Sequence, residues 1–261
     1  MPKLAANISL LFTELPFPAR VQAAAQAGFT GVECLFPYGE NADDLAAALE
    51  AADVKQVLFN APPGDWDAGE RGIAALPGRI GEFRDGLTTA LTVAERLDCH
   101  QIHVMAGILP DHSQKAQYVS ILSDNLKWAA EQAATRNITI LMEPLNPFDV
   151  PGYLYSRTGE VCDILDHLGL PNIKLQLDLY HRQMTEGQLV EAIDRYFPYI
   201  GHIQIAGVPG RHEPSPSEIN TAYLFDYLDS KGYAGWIGCE YHPRADSLDG
   251  LGWAKTWLSP Q

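Results

Sequence analysis

Four oxygen-bearing side chains interrupt apolar stretches of the sequence, each close to the end of its stretch. Glu143 follows ITILM, Asp178 ends IKLQLD, Gln204 lies in HIQIAG, and Glu240 follows WIGC. An isolated charge is too costly to keep in an apolar environment, so a buried carboxylate is paired, protonated or bound to a metal. The repeated pattern therefore predicts a shared polar site, with a purely structural ion-pair network as the alternative.

A divalent cation would resolve the charge conflict at such a site. Three converging carboxylates repel one another and raise one another's pKa values, and no Lys or Arg occupies a comparable inward position on these stretches. Oxygen ligands from Glu, Asp and Gln suit a hard cation with open positions for substrate or water. We therefore expect Mg²⁺ or Mn²⁺, held by Glu143, Asp178, Gln204 and Glu240.

These residue types suit the isomerisation of an α-hydroxy carbonyl compound. Such a compound can bind a divalent metal through two adjacent oxygens, and the metal stabilises the enediolate that forms when a C–H proton leaves. A base must stand over the carbon that loses the proton, and an acid near the carbon that receives it. Glu143 and Glu240 lie on stretches separated by two others, so they could flank the substrate. The sequence leaves open which of them acts first.

The elements that carry these residues alternate regularly between strand and helix. Apolar or β-branched stretches predict strands at residues 4–11, 31–36, 54–60, 101–106, 138–143, 173–179, 200–206 and 236–241. Helices are expected at residues 17–27, 41–52, 83–97, 114–136, 159–168 and 186–197, within 216–231, and from about 248. Asn41, Thr185 and either Ser156 or Thr158 are candidate N-caps.

Eight strand–helix units in 261 residues predict a single-domain (β/α)₈ TIM barrel, an α/β fold with the helices outside a parallel sheet. The alternative is an open doubly wound sheet, but the turn after the first strand, FTELPFPAR, lacks the Gly-rich phosphate fingerprint of that fold. In a TIM barrel the carboxyl ends of the strands meet at one rim. The four polar residues are therefore expected to converge.

Charge and cysteine usage limit the partners and the compartment. The net charge is −15, which opposes nucleic acid and anionic membranes as partners. No apolar run reaches the roughly 18 residues of a membrane helix, and the first twelve residues are interpreted as a strand rather than a signal peptide. The four cysteines are far apart and predict buried thiols in a reducing, cytoplasmic compartment. The sequence leaves open whether the chain forms a homo-oligomer.

Longer motifs around the four residues resemble a known family. MEPLN, LQLDLYH, IQIAGVPGRHEP and GCEYHP resemble the hydroxypyruvate isomerase family, which belongs to the xylose-isomerase-like TIM barrels together with sugar epimerases and endonuclease IV. The resemblance runs over essentially the whole chain and implies Glu143 and Glu240 as the acid/base pair. Sugar epimerases usually have a histidine where Gln204 stands. Gly207 is a departure, because we expect an acidic residue there in the family.

The resemblance implies an intramolecular oxidoreductase that converts hydroxypyruvate to tartronate semialdehyde, moving a proton from C3 to C2. The substrate is then a small 2-oxo acid. Arg211, in VPGRHEP, is the first candidate to bind its carboxylate, because a guanidinium matches a carboxylate bidentately. His181 could donate a hydrogen bond to a substrate oxygen and stay neutral near pH 7. A surface ion pair or a loop-ordering contact is the alternative for each residue.

A long loop after the third strand, residues 61–79, completes the predicted site. Trp66, Glu70 and Arg71 make it a candidate lid over an enediolate, and a rigid packing loop is the alternative. Four other functions are weighed against the isomerase: a 2-oxo-tetronate isomerase, a ketose 3-epimerase, a metal-dependent DNA-repair nuclease and a non-catalytic sugar-acid binding protein. The acidic charge opposes the nuclease, and a mere binding protein has no need of two rim glutamates.

Overall fold

Eight parallel strands close into a barrel in sequence order in the computed structural model, which describes residues 1–258. The strands are β1 Lys3–Asn7, β2 Gly31–Cys34, β3 Lys55–Asn60, β4 Gln101–His103, β5 Thr139–Met142, β6 Ile173–Asp178, β7 Ile200–Ile205 and β8 Trp236–Cys239. The last strand, β8, pairs with β1 in parallel, which leaves no open edge in the sheet. The predicted (β/α)₈ TIM barrel is confirmed.

Helices follow the strands and surround the sheet. They are α1 Phe17–Gln26, α2 Ala42–Ala52, α3 Ile80–Arg96, α4 Lys115–Ala134, α5 Thr158–Leu168, α6 Leu179–Thr185, α7 Leu189–Tyr196, α8 Thr221–Ser230 and α9 Ser247–Gly250. Asn41 caps α2 as predicted, because its side chain accepts hydrogen bonds from the backbone N–H groups of Asp43 and Asp44. None of the helices in residues 1–258 has the length and apolar character needed to cross a membrane.

The sixth helical segment differs from the prediction. The helix expected over residues 186–197 corresponds to α7, while an additional helix, α6, lies before it and ends at Thr185, the expected N-cap. This additional helix begins directly after β6 because the Asp178 side chain accepts from the backbone N–H groups of Tyr180 and His181. Gly187 and Gln188 then adopt positive φ angles of 62° and 51°, which break the helical path.

The start of α5 also differs. Neither Ser156 nor Thr158 is its cap: Arg157 occupies the N-cap position, and Thr158 is the first helical residue. The carboxylate of Glu160 instead accepts hydrogen bonds from the backbone N–H groups of Ser156 and Arg157 at 3.1 and 3.0 Å. The helix is thus capped from within its own first turn.

The barrel interior is apolar at one end and polar at the other. Ala5, Val57, Leu58 and Leu141 form a separate buried cluster, with Trp236 packed against it. The main core lies between the sheet and the helices and contains all four cysteines, which are buried and free as expected. The chemistry-bearing side chains are therefore confined to the carboxyl-terminal end of the strands.

The loop of residues 61–79 is fastened to the barrel through its second half. Gly72 forms an isolated bridge with Ala106, and a Cβ at Gly72 would lie 2.2 Å from the carbonyl oxygen of Met105. Asn125 donates a side-chain hydrogen bond to the Ala74 carbonyl at 2.8 Å. Residues 65 and 67–69, in contrast, are exposed. The contacts favour a fixed base with an exposed tip, and closure of a lid remains a prediction.

Candidate active site

Glu143 enters the site at the point where β5 ends. Pro144 has no N–H for the sheet, so the strand stops at Met142 and the next side chain is left at the rim. The carboxylate is 4% exposed, and its Oε2 accepts a hydrogen bond from Gln176 Nε2 at 2.9 Å. Its Oε1 has no hydrogen-bond partner in the part of the chain that the structure describes.

Asp178 is held by the start of α6. Its Oδ1 accepts from the backbone N–H of Tyr180 at 2.7 Å and from that of His181 at 3.4 Å. Its Oδ2 is buried and makes no hydrogen bond within residues 1–258. The helix start therefore fixes the carboxylate and leaves one oxygen available to a ligand.

A guanidinium reaches the carboxylates from the loop after β7, so the expectation that they lack a counter-charge is wrong. Arg211 Nη2 lies 2.6 Å from Glu240 Oε2 and 3.6 Å from Asp178 Oδ2. The cation was missed because it comes from a loop rather than from a strand. Arg211 has a φ of 54°, a left-handed conformation that costs a non-glycine residue about 1–2 kcal/mol and is common at functional sites.

Close packing of this loop depends on Gly207. The Gly207 N–H donates to the His212 carbonyl at 2.8 Å, and a Cβ at Gly207 would lie 2.3 Å from the Glu213 carbonyl oxygen. The Arg211 carbonyl in turn accepts from the His242 N–H at 2.8 Å. A residue with a side chain at position 207, acidic or otherwise, would displace the loop that carries Arg211.

Gln204 belongs to a hydrogen-bonded network beneath the carboxylates. Its Nε2 donates to Glu33 Oε1 at 2.7 Å, and its Oε1 accepts from Gln176 Nε2 at 2.6 Å. Since Gln176 also donates to Glu143, one amide joins two of the predicted ligands. Asn7 Nδ2 extends the network on the other side, at 3.1 Å from Glu33 Oε1 and 3.4 Å from Glu240 Oε1.

Burial holds these carboxylates towards their protonated forms. Burial raises the pKa of Glu240 to about 8 against the opposing effect of Arg211, and raises that of Asp178 to about 6. Burial, followed by the charges of Glu240 and Asp178, raises the pKa of Glu143 well above its usual range. Without a metal, the single positive charge of Arg211 is therefore not enough to balance the three carboxylates of Glu143, Asp178 and Glu240.

His181 is a hydrogen-bond donor towards the site. The backbone N–H of Asn146 donates to its Nδ1 at 3.2 Å, so the neutral ring carries its proton on Nε2. That nitrogen lies 3.7 Å from Asp178 Oδ2 and 4.0 Å from Glu143 Oε1. Burial lowers the pKa of His181 well below its usual range. A protonated Nε2 cannot ligate a metal, which supports a substrate contact instead.

The donor set fits a divalent cation. A carboxylate oxygen of Glu143 and one of Asp178 lie within 4.8 Å of each other and of a ring nitrogen of His181, and His181, protonated at Nε2, would lie beside the cation without ligating it. The two carboxylate oxygens without hydrogen-bond partners within residues 1–258, Glu143 Oε1 and Asp178 Oδ2, both lie within 4.0 Å of His181 Nε2, and carboxylate oxygens suit Mg²⁺ or Mn²⁺. Gln204 is connected to Glu143 by the hydrogen bonds of Gln176, and Glu240 is connected to Asp178 by Arg211.

A cavity of about 340 Å³ opens over the cluster. Four of the predicted site residues line it: Glu143, Glu240, His181 and Arg211. Asp178 and Gln204 lie behind this lining at 2% exposure. The cavity also contacts Trp66 and Arg71 of the long loop, so the loop forms part of its wall.

Two residues that the sequence argument did not single out support the site. Glu33, on β2, is fully buried and shares a 2.7 Å hydrogen bond with His202 Nε2. Gln176, on β6, donates to both Glu143 and Gln204. Glu33 carried a usable signal, because GVECLF is another apolar strand interrupted by a carboxylate. Gln176 carried one too, because it lies two residues before Asp178 on the same strand and alternate side chains of a strand point to the same face.

Comparisons with known proteins find relatives that match nearly the whole chain. A family model described as xylose isomerase-like TIM barrel matches residues 21–257. The 2-oxo-tetronate isomerase of Cupriavidus necator is 48% identical over 258 residues, 99% of each chain. The hydroxypyruvate isomerase of Escherichia coli is 42% identical, over 97% of this chain and 98% of its own.

A solved structure shows the same likeness. The crystal structure of a Brucella melitensis protein, described as an AP endonuclease of family 2, has a TM-score of 0.96 at 45% identity and covers 99% of this chain and 100% of its own. The matches in sequence and in structure confirm the resemblance that the sequence motifs predict.

Proposed function

Since the chain belongs to the xylose isomerase-like TIM barrel family, we propose that it is an isomerase of a small hydroxy-oxo acid. One observation carries the proposal: Glu143 and Glu240, two buried glutamates, line the same cavity at the rim of the barrel. Two carboxyl groups at one cavity suit a proton transfer between adjacent carbons, which requires a base at one carbon and an acid at the other.

The reaction is an aldose–ketose type isomerisation through an enediolate. For hydroxypyruvate, one glutamate removes a proton from C3, and the other glutamate delivers a proton to C2, while the hydroxyl proton moves from O3 to O2. The product is tartronate semialdehyde. The burial of Glu143 and Glu240, at 4% and 6% exposure, supports the exclusion of water from the reacting carbons.

Glu143, Asp178, Gln204 and Glu240 would hold Mg²⁺ or Mn²⁺ in this proposal. When bound, the cation supplies Lewis-acid polarisation of the substrate oxygens. Support for the set comes from the two carboxylate oxygens without partners and from the Gln176 amide that joins Glu143 to Gln204. His181 binds the substrate through its Nε2–H, and Arg211 contacts it from the loop after β7.

Two substrates of this class are candidates. The first is hydroxypyruvate, and the second is 2-oxo-tetronate, which has one more hydroxymethine group. The second is favoured by identity, because the relative named for it is 48% identical and the hydroxypyruvate isomerase is 42% identical. A cavity of about 340 Å³ has room for either compound.

The proposal is tested by NMR assay of purified protein loaded with Mg²⁺ or Mn²⁺. A panel of hydroxypyruvate, 2-oxo-tetronate and neutral ketoses is incubated with it, and an abasic-site DNA duplex is included because of the name of the Brucella relative. We expect turnover of at least one of the two acids and no DNA cleavage. Epimerisation of a ketose without turnover of either acid would replace the proposal with a 3-epimerase.

A further inference from the structure

Two arginines line the cavity, and their surroundings differ. The charge of Arg211 is balanced by the carboxylates of Glu240, Asp178 and Asp149, all within 4 Å. Within residues 1–258, Arg71 makes no ion pair with any carboxylate. The neighbouring Glu70 does not serve it, because Glu70 pairs with Arg79 at 2.6 Å. Arg71 therefore brings an uncompensated positive charge to the cavity wall.

Arg71 is also fixed in orientation. Its Nη1 donates to the carbonyl oxygens of Trp66 and Glu70 at 3.1 and 2.7 Å. Its guanidinium carbon lies 3.7 Å from the centre of the Trp66 ring, and that ring packs edge-on against Phe36 at 5.0 Å. A side chain held in this way loses little conformational freedom when it binds a ligand.

The free part of the guanidinium has the shape of a carboxylate receptor. Nη1 is occupied by the two carbonyls, whereas Nε and Nη2 of Arg71 make no hydrogen bond in the described part of the chain. These two nitrogens form one edge of the planar group, and that edge can donate two parallel hydrogen bonds to a carboxylate. The half-buried position of Arg71 limits competition from solvent.

We propose that Arg71 binds the carboxylate of the 2-oxo acid and thereby selects acids over neutral ketoses. The inference rests on the proposed function and refines it. The carboxylate role expected for Arg211 then belongs to Arg71, while Arg211 stays beside Glu240 and the reacting carbons. The long loop contributes a charge to substrate selection, whether or not it closes.

The test compares Arg71→Met and Arg71→Lys with the wild type, all loaded with Mn²⁺. Met can still stack on Trp66 but carries no charge, and Lys carries a charge without the fork. Arg84→Met is the matched control, because Arg84 also lies over a tryptophan ring, 5.1 Å from the centre of Trp128, but does not line the cavity. Two readouts are used. Calorimetry compares the Kd of the acid glycerate with the Kd of the neutral glycerol, and enzyme assays give kcat/KM for hydroxypyruvate, 2-oxo-tetronate and the neutral dihydroxyacetone.

We expect Arg71→Met to weaken glycerate binding and to lower kcat/KM for the acids by about 10- to 100-fold, mainly through KM. Arg71→Lys should fall between Met and the wild type. The kcat/KM of Arg71→Met for dihydroxyacetone should differ from the wild-type value by less than about twofold, and Arg84→Met should resemble the wild type. Unchanged glycerate binding in Arg71→Met, or an equal loss for acid and neutral compounds, would overturn the inference.

The calorimetric arm separates this inference from the proposed function. If the wild type turns over neither acid, the proposed function is wrong, and glycerate binding still decides the role of Arg71. If the wild type turns over an acid and Arg71→Met does so equally well, only the role of Arg71 is wrong.

Discussion

At the scale of single residues, Glu33 connects the two proposed proton-transfer groups. It accepts hydrogen bonds from Gln204 and Asn7 and pairs with His202. Through Asn7 it reaches Glu240, and through the amides of Gln204 and Gln176 it reaches Glu143. A Cβ at Gly238 would lie 2.2 Å from Glu33 Oε2, so β8, which lies on the other side of β1, makes room for this carboxylate. Glu33 therefore orients Glu143 and Glu240 through the amides between them and takes no part in proton transfer itself.

Replacement of Glu33 by Gln should weaken metal binding. The new amide places an N–H₂ group among donors and disturbs the orientation of Gln204. Loss of such an outer partner typically costs 10–100-fold in metal affinity or activity. Titration calorimetry with Mn²⁺ would measure the affinity. Glu160→Gln is the matched control, because Glu160 also accepts backbone N–H groups but lies outside the cavity. Equal Mn²⁺ affinity in both variants would remove Glu33 from this role.

The sequence alone was sufficient to predict the site residues at the strand ends, but not the residues that hold them in place through hydrogen bonds. Glu143 and Asp178 could be placed together because parallel strands of a barrel share one rim. The partner of Glu33, His202, is 169 residues away, and no local pattern indicates which of several buried histidines a buried carboxylate meets. Hydrogen bonds between distant strands require the register of the sheet, which the sequence pattern does not supply.

At the scale of elements, the loop after β7 positions the counter-charge. It is held by the Gly207–His212 bridge and by the Arg211 carbonyl, and it leaves no room for a side chain at position 207. Element order followed from the alternation of strand and helix, but the break at Gly187–Gln188 did not. The additional helix α6 before this break exists because Asp178 caps a helix directly after β6, a role that its position at the end of an apolar strand does not reveal.

Gly207→Ala should destabilise the protein and displace Arg211. The added Cβ would meet a backbone carbonyl, and overpacking of this kind costs about 1–3 kcal/mol. Gly39→Ala is the control, because a Cβ at Gly39 meets nothing within 4 Å and its change should stay within about 0.5 kcal/mol. Denaturant unfolding of both variants measures the difference. Equal stability would mean that the loop accommodates a side chain without strain.

At the scale of the whole molecule, a net charge of −15 is combined with a buried acidic cluster. The folded-state pKa values of Asp178 and Glu240, about 6 and about 8, lie above those of an unfolded chain. Each of these two carboxyl groups holds its proton to a higher pH in the native state, so its contribution to native stability falls as pH rises, whereas buried His181, whose pKa is lowered, acts in the opposite direction below about pH 6.5. Arg211 offsets only part of this loss.

Metal-stripped protein should therefore lose thermal stability as the pH rises from about 6.5, above which the buried histidines no longer oppose the trend, to about 8, the pKa of Glu240. Added Mg²⁺ or Mn²⁺ should raise the Tm most at the alkaline end, because a ligand that binds only the native state stabilises it, by about 2.7 kcal/mol at 100-fold excess over Kd. Scanning calorimetry with and without chelator measures both effects. A Tm independent of pH and of metal would argue against a cation site in this cluster.

Amide substitution can distinguish the proton-transfer role of Glu143 and Glu240 from their role as metal ligands. Glu143→Gln and Glu240→Gln keep an oxygen ligand and the approximate volume, but they remove the charge and the basic oxygen. Gln204→Glu is the control, since it changes a ligand charge without altering a proton-transfer group. It should change metal affinity more than the chemical step.

The most direct test of the two-glutamate mechanism is proton NMR of the C–H groups of the substrate in deuterated water. Each variant is assayed at a Mg²⁺ concentration that saturates it. Wild-type protein should turn over the acid and introduce solvent deuterium. Both Gln variants should lose about 10²–10⁴-fold in kcat, the usual contribution of a positioned acid or base. A variant that alone loses exchange at one carbon identifies the base for that half-reaction. Near-wild-type turnover by both variants would contradict the mechanism and leave Glu143 and Glu240 as ligands only.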